Sequence, residues 1–146
     1  MEVVGATASI ISIASFAVQL GDALRKAAEF WESFEDAPAD IRRISRELRL
    51  LINILNTIRH RQETVRNQDG LEHWIKEALE LAKHDIDELA SFVSELARFT
   101  GPGNGQMKQH WGRVRIVLKR DKIAKFKGYI ESAKSILSLL QMSQTQ

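Results

Sequence analysis

The sequence of 146 residues has no cysteine, only two prolines, a single tyrosine and few aromatic residues of any kind, 7% in all. Each scarcity excludes something. Without cysteine there is no disulfide scaffold, no Cys-ligated zinc and no thiol chemistry, and an intracellular, reducing compartment is the expected setting. Two prolines and eight glycines, with the turn-forming residues gathered into a few short clusters, leave too little turn chemistry for a many-stranded sandwich or barrel. The formal net charge is only +2, which by itself argues against a strongly charged partner. What the chain does contain is 44% hydrophobic and 27% charged residues, enough for one core and one domain over residues 1–146.

The small net charge conceals an uneven distribution. Residues 1–40 hold seven acidic and two basic residues, a net of −5. Residues 41–106 carry ten of each sign and cancel. Residues 107–134 set nine basic residues against Asp121 and Glu131, a net of +7. The near-neutral total therefore reads as cancellation between an acidic rim on the first helix and a cationic late helix, expected to pair with one another at rest.

Apolar spacing predicts an all-α helical bundle of four long helices and one short one. Residues 3–21 form a run of nineteen without a charge, long enough as a helix (about 28 Å) to approach a bilayer core. It is preceded by Glu2, and a series that begins within it and runs past its end, Ile13, Phe16, Leu20, Leu24, Ala27, Trp31 and Phe34, keeps spacings of three and four. It is therefore a retained segment rather than a signal peptide, within one helix over 3–33. Pro38 breaks that helix and suits the first turn of the next, 39–66, whose seam runs Ile41, Ile44, Leu48, Leu51, Leu55, Ile58 and Val65. Asp69 with Glu72 resembles a capping box that opens 70–98, with the seam Leu71, Ile75, Ala78, Ala82, Ile86, Leu89, Val93 and Leu96. After the flexible turn GPGNG (101–105) come a short helix, 107–119, with Met107, Trp111, Val114 and Leu118, and a last one, 121–142, with the seam Ile123, Phe126, Ile130, Ala133, Leu137 and Leu140, Asp121 as its candidate cap and a polar tail over 141–146.

No motif for catalysis emerges. The glycine turn lacks the Gly-Lys-Ser/Thr ending of a P-loop. His73, Glu77, Glu80 and His84 share a helical face, but the two histidines stand about 16 Å apart along the axis and cannot share an ion. That face also carries Asp87 and Glu88 and reads as solvated surface. No metal, cofactor or enzymatic activity is expected. The cationic stretch, with Lys108, Arg113, Arg115, Lys119, Arg120, Lys122, Lys125 and Lys127, attracts anionic lipid headgroups and nucleic acid alike. No base-reading signature accompanies it, so nucleic acid is the weaker reading.

The first segment has two compatible readings. A helix apolar on nearly every side suits the centre of a bundle. Its polar stripe of Ser9, Ser12, Ser15, Gln19 and Asp22 is also mild enough for lipid over most of its length. Small residues spaced by four, Gly5 with Ser9, Ala8 with Ser12 and Ala17 with Gly21, would let copies approach closely in a membrane.

The opening MEVVGATASIISIASFAVQL (1–20), followed by DAPADIRRISREL (36–48), resembles the N-terminal helical domain of fungal NLR-like (STAND) receptors, the HeLo-like group. The likeness is close over about the first 60 residues. It implies a cell-death execution domain, related in architecture to the four-helix executioner domain of the necroptosis pseudokinase. Such a domain is expected to be cytoplasmic at rest, and to oligomerise at and permeabilise the plasma membrane when activated. The inserting element maps onto residues 3–20, with Val3, Val4, Ile10, Ile11, Ile13, Phe16, Val18 and Leu20 entering lipid, while Gly5, Ala8, Ser9, Ser12 and Gly21 allow close packing. In the family, control comes from a nucleotide-binding oligomerisation domain or an amyloid-motif partner. Residues 1–146 contain neither, so the chain reads as an excised or stand-alone domain. A plain interaction module at the N-terminus of such a receptor is the alternative. At rest the first segment is expected to lie against the seams of the second, third and last helices.

Overall fold

In the computed structural model, residues 12–64, 69–100, 111, 118 and 120–144 are described. Their apolar spacing closes into four helices: α1 (Ile13–Glu32), α2 (Ala39–Thr64), α3 (Asp69–Thr100) and α4 (Arg120–Gln144). Among the described residues there is no strand. The predicted bounds of α2, α3 and α4 hold to within about two residues. The all-α bundle expected from periodicity is what forms.

The first helix differs from its prediction. It opens at Ile13, because Ser12 adopts an extended backbone (φ −61°, ψ 149°) and its side chain accepts the Ser15 N–H at 3.1 Å. A serine hydroxyl competes with the helical ladder and satisfies one of the N–H groups orphaned at a helix start. The earlier part of the predicted 3–33 helix, residues 3–11, lies outside the described residues. So does the predicted short helix over 107–119, save Trp111 and Leu118; Leu118 is buried and not helical. Asp121 stands inside the first turn of α4 rather than capping it, where its charge still complements the dipole.

The α1–α2 corner is closed at both sides. Ser33 ends α1 by donating its N–H to the carbonyls of Glu29 and Phe30, and its hydroxyl to Phe30 at 2.6 Å. The Pro38 carbonyl accepts the N–H groups of Ile41 and Arg42, so the proline stands just before the first turn, where its missing donor costs nothing.

The helices form a square. Helix α1 packs on α2 and α3, and α4 packs on the same two; the diagonals α1–α4 and α2–α3 make no close backbone approach. Ion pairing of Glu32 with Arg49 and of Lys127 with Asp40, and ring contacts of Phe92 with Trp31 and Phe126, set the directions. Helices α1 and α3 run one way, α2 and α4 the other. The first and last helices, expected to touch, stand on a diagonal with no close backbone approach, share one core, and are joined across it by Trp31 reaching Phe126.

Candidate functional site

Two surfaces were expected to carry function, and the fold places their described residues as follows. Of the apolar N-terminal set, Ile13, Phe16 and Leu20 are buried in the core between α2 and α3, while Val18 is 41% exposed. Ser12 is the N-cap of α1. Gly21 is half-buried, and a methyl group placed on it would meet no atom within 4 Å, so in the folded domain it is not a point of close helix approach. Val3, Val4, Gly5, Ala8, Ser9, Ile10 and Ile11 lie outside the described residues. Helix α1 as a whole commits eight side chains to the core.

The cationic set does not share one face. Lys108, Arg113, Arg115 and Lys119 lie outside the described residues, and Arg120 is exposed at the start of α4. Lys122 and Lys125 turn toward α3, where they line a groove with Glu88 and Glu95. Lys127 turns to the opposite flank and stands 3.9 Å from Asp40 at the start of α2. Helical geometry forces this division, since residues two apart point about 160° from one another.

Of the expected pairing between the acidic start and the cationic late helix, Asp40 with Lys127 is present, while Glu32 of α1 turns elsewhere. Glu32 instead binds Arg49 of α2 through two hydrogen bonds, Nε to Oε2 at 2.9 Å and Nη2 to Oε1 at 2.8 Å. Those bonds hold the Glu32 carboxyl below its ordinary value of 4.5, against a smaller opposing effect of burial, and push the guanidinium pKa upward. Beyond α1, Asp36 in the α1–α2 corner accepts the backbone N–H of Trp111 at 2.8 Å.

That hydrogen bond belongs to a feature the periodicity did not reveal. Phe30, Trp31, Phe34, Phe92, Trp111 and Phe126 form one aromatic cluster at the end of the bundle where α1 finishes and α4 begins. It gathers four of the six phenylalanines and two of the three tryptophans. Trp31 is central, 5.3 Å from both Phe30 and Phe126 between ring centroids. Its indole N–H is buried with no hydrogen-bond partner. The signal available was composition: scarce aromatics bunched at 30, 31 and 34.

At the other end, Trp74 and Leu81 of α3 and Leu139 and Met142 of α4 are large apolar residues left exposed. They lie off the seams by which α3 and α4 were recognised, so the same periodicity that located the core passed over them. The carboxylate and imidazole groups of His73, Glu77, Glu80 and His84 are all exposed; the nearest approach is 3.8 Å between His73 and Glu77. Among the described residues no group of three or more His, Asp or Glu is arranged to hold a metal ion. Among them, too, no helix is long and apolar enough to cross a membrane. The described surface carries a part-charged groove between α3 and α4 and an exposed apolar end.

A family model described as SesA, an N-terminal domain on NACHT NTPases and P-loop NTPases, matches residues 7–141. Neither the curated proteins nor the solved structures give a match. The matched span covers all four helices except the last residues of α4, and it accords with the STAND-type resemblance of the opening sequence. The chain belongs to the SesA family, the helical domains found at the N-terminus of NACHT and P-loop NTPases.

Proposed function

We propose that this domain is the effector or signalling end of a nucleotide-switched NTPase, that its input is clustering, and that it works as a folded bundle. A NACHT or P-loop module, fused or separate, would gather copies, and the domain would pass that state on through helix-to-helix contacts. In this reading it is a binding module, not an enzyme. The burial of α1 carries the proposal. Eight of its residues lie in the core, among them Ile13, Phe16, Leu20, Leu24 and Trp31. Burying each large apolar side chain is worth about 1.5–3 kcal/mol, so extracting α1 costs about as much as the ~5–15 kcal/mol by which a whole domain is stable.

A second reading is supported by the uncharged run over 3–21 and by the cationic residues between 108 and 127. Here the domain is a membrane-permeabilising cell-death effector of a fungal immune or incompatibility system, moving from cytoplasm to plasma membrane and binding anionic lipid. It requires α1 to leave the core, or residues before Ser12 alone to engage lipid. Gln19 and Arg59 line one groove between α1 and α2, and the chain has no cysteine. A cleavable bismaleimide bridge across Q19C/R59C therefore locks α1 in place. The test clusters the full chain with an inducible dimeriser beside dye-loaded anionic vesicles. Dye release that the bridge abolishes and its cleavage restores establishes the lytic reading with α1 released. Clustering without release, bridged or not, sinks it and leaves the folded module.

A further inference from the structure

Among the described residues, Trp74, Leu81, Leu139 and Met142 form an exposed apolar area on α3 and α4, and we infer that it is a contact between copies of this domain, too small to hold a dimer alone and filled when copies are clustered. The inference rests on the clustered-module reading above and supplies its surface.

The groove between α3 and α4 is made of two antiparallel stripes. His84 lies against Tyr129 with ring centroids 6.5 Å apart, and Phe92 against Phe126 at 5.0 Å. Ten residues back from His84 is Trp74, and ten residues on from Tyr129 is Leu139, so one antiparallel register brings Trp74 and Leu139 to the same level. Leu81, seven residues after Trp74, repeats its direction. Leu139 lies about 60° to the outer side of the Lys125, Tyr129 and Ile136 line that faces α3, and Met142, one turn later, carries the apolar surface further onto the outer side of α4. These four residues are 44%, 62%, 59% and 63% exposed for Trp74, Leu81, Leu139 and Met142. Toward the aromatic end the same groove is lined by Glu88, Glu95, Lys122 and Lys125. Its polarity changes along its length, and the apolar part occupies the end opposite the aromatic cluster.

Two observations select a second copy as the occupant. The first is size. Four side chains about half exposed present on the order of 400 Å² of apolar surface, enough to mark an interaction site but about half of the ~800 Å² that each partner gives a stable interface. Such a contact is weak in dilute solution. It becomes populated when copies are tethered at effective concentrations in the millimolar range. The second is charge. Exposed Glu77, Glu80 and Glu88 flank the α3 side of the strip, with Asp87 offset by Lys83 at 2.7 Å, and this net acidic border disfavours an anionic lipid surface.

The test places the full chain on an inducibly dimerising module through a flexible linker and cross-links copies with a short bismaleimide from single introduced cysteines. S135C, exposed on α4 beside the strip, reports contact through it; N53C, exposed on α2, reports contact through a distant face. Clustered S135C copies are expected to cross-link, and the untethered chain at micromolar concentration is not. L81E and L139E, both on exposed positions, should each cut that cross-linking at least about tenfold with helical content and melting unchanged. L50E, an exposed leucine of α2, should leave it intact. If N53C cross-links and S135C does not, or if L81E and L139E have no effect, the strip is the wrong surface while the clustering reading stands. If neither cysteine cross-links in clustered copies, both fall. Sedimentation of the untethered chain with phosphatidylserine vesicles that L81E abolishes, or stoichiometric capture of a different protein through the strip, also overturns the assignment.

Discussion

Trp31 is the residue on which the largest single packing effect turns. Its ring touches Phe30, Phe34, Phe92, Trp111 and Phe126, so it joins α1 to α3 and α4 as well as to its own corner. Trp31→Ala is expected to lower unfolding stability by about 3–5 kcal/mol, measured by urea denaturation. Trp31→Phe should cost clearly less, because it also removes a buried donor whose lack of a partner costs about 1–3 kcal/mol. The Glu32–Arg49 pair makes a smaller, pH-dependent contribution. With the folded Glu32 carboxyl held below its ordinary 4.5, the stabilisation is present at neutral pH and lost as pH falls through the lowered value. Both side chains are about 40% exposed, which limits the effect to under about 1 kcal/mol. Arg49→Ala should therefore lower the urea midpoint slightly at pH 7 and not at all in strong acid, with a further loss of effect in high salt. Ser12→Ala, which deletes the cap, should cost about 0.5–2 kcal/mol in the same measurement.

At the level of the element, Ser12 divides two segments that the uncharged run joins. Because the described core begins at Ile13, a chain lacking residues 1–11 should keep the cap and the bundle, with cooperative melting followed by circular dichroism. A chain lacking residues 1–21 loses Ile13, Phe16, Ala17 and Leu20 from the core and should melt far lower or not cooperatively, so any loss of lipid activity in it says little about insertion. The seams of α2, α3 and α4 were legible, because residues such as Leu48, Leu89 and Ile130 alternate at three and four and are fully buried. The start of α1 was not, because Ser12 sits in the same spacing as its neighbours and only its backbone angles distinguish a cap from a turn of helix. The division of the cationic stretch was hidden for a different reason. Charge summed along the chain ignores direction, and Lys125 and Lys127 belong to opposite flanks of one helix. The Trp74–Leu139 strip needed the register of α3 against α4, a tertiary quantity.

For the whole molecule, the square of helices puts both ends of the described chain, Ser12 and Gln144, at the pole with the uncovered apolar strip. A module joined soon after Gln144 would therefore start beside that strip, and the length of its linker should tune association between clustered copies. Lengthening a flexible linker from about 10 to 40 residues is expected to reduce S135C cross-linking several-fold, following the fall in effective concentration with length. The opposite pole has a consequence of another kind. Trp31 and Trp111 stand 6.4 Å apart with ring planes at 47°, close enough for their electronic transitions to couple, whereas Trp74 lies exposed at the other pole. The molecule thus contains an unlabelled optical gauge: a far-ultraviolet exciton couplet expected while α1 is seated and lost when Trp31 leaves Trp111, and a separate indole emission that follows the outer surface.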